Sequence, residues 1–198
     1  MRSEHRGEAG DGRRHRPGVA SVPEGPRVVV IGLGNPLLAD DGIGLAALAR
    51  LREEWSLPAD VELLDGGTWG MMLLPAVEDA DRLLLLDAID VGDEPGETVV
   101  LERDDLPLFL DGKISTHQVG IREVLALASL RGTLPEETVA VGLQPAELAT
   151  ETALSPEAVD GLDELVVRAV ERLRSWGVGA EHRDRAAAER SLAWPGQA

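Results

Sequence analysis

Arg82–Asp87 reads RLLLLD, four consecutive leucines that end on an aspartate. A run of this length is the size of a strand, and a strand apolar at every position has both of its faces covered. Working outward, similar runs recur on either side. Arg27–Gly32 (RVVVIG) is a short β-branched strand, Val61–Asp65 (VELLD) a second, and Thr138–Gly142 a further one. Glu97–Glu102 (ETVVLE) alternates apolar with polar and reads as an edge strand. Helical spacing fills the intervals. One helix is predicted from about Asp41 to Trp55, with Gly44, Leu48, Leu51 and Trp55 on one face. A short helix is predicted over Trp69–Val77, and another over Gln118–Leu130 with Ile121, Val124, Leu125 and Ala128 inward. The last spans Ser155–Trp176, with Ser155 as cap, Pro156 in the first turn and Gly177 at the exit. Its predicted core stripe is Val159, Leu162, Val166, Ala169, Val170 and Leu173. Strands alternating with helices predict a single three-layer α/β/α domain, Rossmann-like, with a mostly parallel sheet.

That pattern occupies residues 27–176, and a chain of 198 residues suits one such domain. Residues 1–26 are polar, carry five arginines against four acids and show no periodicity, so they read as a disordered N-terminal extension. Arg13-Arg14 is followed by no apolar segment, which rejects an export-signal reading. Residues 177–198 read as a flexible tail with at most a short loose helix.

Composition narrows the function classes. The chain is 43% hydrophobic, enough for a real core, yet no apolar run approaches the length of a membrane span, which takes about 20 residues. Cysteine is absent, which excludes disulfides, thiolate metal sites and a cysteine nucleophile and fits a cytoplasmic protein. A net charge of −17 argues against nucleic acid as a partner, because binding it needs clustered Lys and Arg. A monomer is expected.

In open α/β sheets, ligands sit outside the carboxyl ends of the strands. Three strand ends therefore matter: GLGNPLLADDGIG (Gly32–Gly44), DGGTWG (Asp65–Gly70) and DAID (Asp87–Asp90). The first begins like a dinucleotide fingerprint, but the third glycine would fall on Leu37, the loop is acidic, and the one lysine of the chain is Lys113. A phosphate cradle is therefore a poor reading. Asp40 and Asp41 stand where a helix N-terminus would accept a capping carboxylate. The cap is assigned to Asp40, which leaves Asp41 to turn toward the cleft. Asp87 ends an apolar central strand, where a carboxylate is costly unless it is paired or metal-bound; Asp90 reads as a turn residue. His117, in KISTHQ (Lys113–Gln118), is the one histidine inside the predicted fold; His5 and His15 fall in the extension and His182 in the tail. Two carboxylates and an imidazole suit zinc, nickel or iron with positions left open. Neither G-x-S-x-G nor H-E-x-x-H occurs. The residues alone lead as far as a metal-using α/β enzyme.

The same segments resemble one family, the maturation peptidases of nickel–iron hydrogenases. The resemblance lies in VVVIGLGNPLLADDGIG (Val28–Gly44), LLDGGTWGMMLL (Leu63–Leu74), LLLLDAID (Leu83–Asp90) and KISTHQVG (Lys113–Gly120), in that order and spacing. It implies an endopeptidase that removes a C-terminal extension from the nickel-loaded large-subunit precursor of a hydrogenase. It implies that the family's metal-contacting residues fall on Asp41, Asp87 and His117, as a metal-dependent aspartic-type site. It further implies that the nickel arrives with the substrate rather than as a resident cofactor. The extensions at both ends are not features of the family and are expected to be dispensable for cleavage. Two other readings stay open: a non-catalytic nickel-sensing maturation chaperone, and a nucleotide-binding α/β enzyme using Gly32–Asn35.

Overall fold

The computed structural model describes residues 25–106 and 116–183, with side chains described for 25–106 and 120–183. The order is β1 (Val28–Leu33), a 3-10 turn (Ala39–Gly42), α1 (Ile43–Glu54), β2 (Trp55–Ser56) and β3 (Val61–Gly67). A second 3-10 turn (Gly70–Leu73) leads into α2 (Leu74–Glu78), followed by β4 (Arg82–Ala88) and β5 (Thr98–Glu102). Then come α3 (Thr116–Arg131), β6 (Glu137–Leu143), α4 (Pro156–Ser175) and β7 (Glu181–His182).

The main sheet has the order β3-β1-β4-β6-β5. Its first four strands are parallel, and β5 pairs antiparallel with β6 at the edge. β4 is central, and every residue from Leu83 to Ala88 is buried. Because side chains alternate along a strand, the four leucines divide between two cores. Leu84 and Leu86 join Val28, Val30, Val139 and Val141 beneath α1 and α4. Leu83 and Leu85 join Val29, Ile31 and Ala140 on the other face, with Val77 of α2 and Ile121, Val124 and Leu125 of α3. This is the expected three-layer arrangement. Truncating one of these leucines to alanine would cost about 2–5 kcal/mol.

Two details differ from the expectation. Ser155 caps α4 as expected, accepting from the Ala158 N–H at 3.1 Å, but Val159 is 56% exposed. In the first turn Ala158 faces the core, and Val159, about 100° further round the helix, faces out; Leu165 is buried as well. Trp55 does not continue α1. It begins β2, which pairs antiparallel with β7, and its ring meets that of His182 edge-on at 5.1 Å. Arg174 lies over the same ring at 5.3 Å and donates to the Ala180 carbonyl. Ala180 is buried, and packed chain therefore continues past Trp176 as far as Arg183. Residues 1–24 of the expected extension and 184–198 of the expected tail lie outside the described residues.

The strand order also locates the crevice. From β1 the chain moves to β3 on one side, and β4 then lies on the other side of β1. The connections leaving β1 and β4 part in opposite directions at their carboxyl ends, which is where open α/β sheets bind ligands.

Candidate active site

The loop after β1 is folded on itself by its glycines. Gly34 has φ +118°, and a Cβ there would lie 1.8 Å from the Asp41 carbonyl oxygen. Only glycine allows this approach. The close contact brings the Asn35 N–H to the Asp41 carboxylate, which accepts it at 2.9 Å. Asn35 in turn accepts the Leu37 N–H through its side chain. The glycines that suggested a phosphate loop thus hold an acid, and the Asn35 N–H is already committed to a carboxylate. A phosphate cradle needs such groups free, so the loop conformation counts against nucleotide binding.

Gly44 places this loop against the central strand. A Cβ at Gly44 would lie 2.2 Å from the Leu86 carbonyl oxygen and 2.6 Å from that of Leu33. The start of α1 therefore rests on the carboxyl ends of β1 and β4. Asp41 precedes the contact by three residues and Asp87 follows it by one, so both acids lie at the carboxyl ends of these two neighbouring strands. Both are buried: Asp41 is 1% exposed and Asp87 0%. Asp87 accepts the Ala88 N–H at 2.9 Å through Oδ1.

Asp40 is also fully buried, but it does not cap the helix. The N-cap of α1 is Gly42, with no side-chain bond, and the preceding 3-10 turn has none either. The Asp40 carboxylate instead accepts from the N–H groups of Ala146, Glu147 and Ser155 and from the Ser155 hydroxyl, at 2.7–3.1 Å. The capping assignment fails because a carboxylate with 0% exposure needs several donors, and the segment before α4 supplies four.

His117 falls in the first turn of α3, and its side chain lies outside the described residues, as does Lys113. Gly120, three residues on, touches the loop after β3: a Cβ on it would lie 2.5 Å from Gly70 Cα. The backbone thus brings the start of α3 against the DGGTWG loop. Gly34 N–H donates to the Gly67 carbonyl, which joins that loop to the one after β1. Among the described residues, no group of three or more His, Asp or Glu forms a metal cluster; His117 is not in that set.

Around this rim, Leu37, Trp69, Met71 and Met72 are 59%, 57%, 44% and 72% exposed. They leave from β1 and β3, which are neighbours in the sheet. Sequence reasoning passed over this apolar patch and over Gln144, a buried polar residue at the end of β6. The signal for the second was a lone glutamine between an apolar strand and Pro145.

The model of the hydrogenase maturation protease family matches residues 45–172. The hydrogenase expression/formation protein HupD of Rhodobacter capsulatus is 43% identical over 154 residues, covering 77% of this chain and 73% of that protein. The hydrogenase 2 maturation protease of Escherichia coli is 35% identical over 80% of this chain and 97% of its own length. Among solved structures, the hydrogenase maturating endopeptidase HybD from E. coli superposes with a TM-score of 0.75 at 35% identity, over 79% of this chain and 98% of that one. The HybD protease of Thermococcus kodakarensis gives 0.60 at 28% identity, over 73% and 97%.

Proposed function

The chain belongs to the hydrogenase maturation protease family, and from that premise we propose that Asp41, Asp87 and His117 form one site that reads a nickel ion carried by the substrate. The protein is an endopeptidase that removes the C-terminal extension of the large-subunit precursor of a nickel–iron hydrogenase. The finer reading is metal-dependent, aspartic-type hydrolysis in which the nickel is part of the precursor.

The observation that carries this reading is the pair of buried carboxylates, Asp41 and Asp87, brought to one crevice from different strands. Hard oxygen donors from the two acids and a nitrogen from His117 suit a borderline divalent ion that the precursor already holds in part. Such an ion polarises the scissile carbonyl and lowers the pKa of an attacking water. One of the carboxylates then takes the proton of that water as general base. The exposed Leu37, Trp69, Met71 and Met72 offer the precursor an apolar bed, and methionine adapts readily to an extended peptide. The reading includes a cytoplasmic monomer; among the described residues, no helix is long and apolar enough to cross a membrane.

The test is incubation of the purified chain with nickel-loaded and nickel-free precursor. The expected result is a mass loss equal to the C-terminal extension in the nickel-loaded sample alone. Cleavage of both samples alike would remove the nickel reading. Binding with no mass loss would make the chain a nickel-sensing chaperone instead.

A further inference from the structure

The segment between β6 and α4, Gln144–Ser155, carries no residue of the proposed site, yet both acid-bearing loops are tied to it. Gln144 is 6% exposed. Its Oε1 accepts from the N–H groups of Val91, Gly92 and Asp93 at 2.9, 3.0 and 3.2 Å, and its Nε2 donates to Asp90 at 3.0 Å. These four residues form the turn that follows Asp87. One residue earlier, the Ile89 N–H donates to the Leu143 carbonyl at 3.0 Å.

The same segment holds the other acid from its far end. Asp40, beside Asp41 in one 3-10 turn, is saturated by Ala146, Glu147 and Ser155. Two backbone bonds run in parallel, from Ala39 N–H to the Glu151 carbonyl and from Asp40 N–H to the Glu147 carbonyl. Ala39 has φ +47°, a strained backbone for a residue with a Cβ, which persists only where its surroundings hold it. The Ser155 hydroxyl completes the chain of bonds, donating to Asp40 and accepting from Ala158 at the start of α4.

We propose that the 144–155 segment is a clamp that sets the spacing of Asp41 and Asp87, with Gln144 and Asp40 as positioning residues for the processing reaction. The proposal rests on the site assignment made above. Asp41 and Asp87 arise from different strands, and strand pairing stops before it reaches the loop that bears Asp41. One body bonded to both loops fixes their separation. A three-fold acceptor and a four-fold acceptor, both with buried side chains, make it stiff, since losing either releases several bonds at once. Metal-contacting oxygens displaced by about 1 Å cost on the order of 100-fold in rate.

The test uses the full chain carrying Gln144→Ala, Gln144→Glu combined with Asp90→Asn, or Asp40→Asn, with nickel-loaded precursor and Asp41→Ala as control. Gln144→Ala is expected to lower kcat by roughly tenfold or more while KM and cooperative melting stay near wild type. Gln144→Glu keeps an acceptor for the three N–H groups but sets a carboxylate against Asp90; combined with Asp90→Asn, which returns a donor to that contact, it is expected to recover most of the loss. Asp40→Asn turns an NH2 group toward N–H donors and is expected to lower kcat as Gln144→Ala does. Should Asp40→Asn fail to fold, the Gln144 pair decides. A wild-type kcat in Gln144→Ala, or a loss that Gln144→Glu combined with Asp90→Asn leaves unrecovered, overturns the clamp. If Asp41→Ala still cleaves, the site assignment itself falls; if Asp41→Ala is inactive while Gln144→Ala is normal, only the clamp does.

Discussion

The two ends of the central strands treat carboxylates in opposite ways. At the amino ends, carboxylates are partly exposed and meet arginine: Arg27 pairs with Glu62 at 2.7 Å and with Asp79 at 3.4 Å, and Arg82 pairs with Glu137. At the carboxyl ends Asp40, Asp41 and Asp87 are buried, and backbone N–H groups donate to each of them. Exposed pairs contribute about 0.2–1 kcal/mol each. A buried carboxylate is costly to desolvate and is retained where its charge is used or firmly held. The same residue type thus meets arginine at the surface at one end of the sheet and is buried against backbone donors at the other.

The largest expected effect lies at the carboxyl end. Asp41→Ala, Asp87→Ala and His117→Ala should each abolish processing while cooperative melting is retained. Mass spectrometry of the precursor after incubation checks this, and full activity in two of the three would break the contrast between the ends. Gly120→Ala should come next. A Cβ there would lie 2.5 Å from Gly70 Cα, so either the DGGTWG loop or the start of α3 must shift. A kcat reduced by roughly tenfold is expected, with wild-type secondary structure by circular dichroism.

Trp69→Ala should act on binding, raising KM by a few-fold with kcat little changed, because the ring is 57% exposed and lies on the apolar rim. At the amino end, Arg27→Ala should lower stability by about 0.5 kcal/mol and leave processing intact, as denaturant unfolding and the precursor assay will show. A larger loss would mean that this end is also a built site. The smallest effect concerns Glu78, whose carboxyl is held below its ordinary range by hydrogen bonds from Arg131 and then Thr133. A lowered folded-state pKa adds stability above the ordinary carboxylate range, and that stability is lost as pH falls through the lowered value. Arg131→Ala should move Glu78 back up toward its ordinary range, readable by titration of its side-chain carbon resonance.

Much of this was legible in the chain because strand and helix periods leave direct marks. Leu83–Leu86 read as a doubly covered strand, and Ile121, Val124, Leu125 and Ala128 as one face of a helix, and all eight are buried. Asp87 was visible as an acid ending that strand. Asp40 was not legible, since a capping aspartate and a long-range anchor look alike until the donors 106–115 residues away are in place. Val159 was misplaced because neighbouring Ala158 takes the core-facing position in the first turn of α4, and Trp55 because a two-residue ladder ends α1 before it.

Sequence alone therefore determined the alternating α/β pattern, the covered central strand, and which acids lie at strand ends, since these depend on local period and residue chemistry. Tertiary structure alone decided which strands are neighbours, that β1 and β4 adjoin with Asp41 and Asp87 buried at their carboxyl ends, and that Gly34 and Gly44 serve close packing. It also decided that Gln144 and Asp40 tie the two acid loops to one segment. The physical reason is that hydrogen bonds between residues far apart in the chain have no period. They are satisfied only once packing has brought their donors and acceptors together.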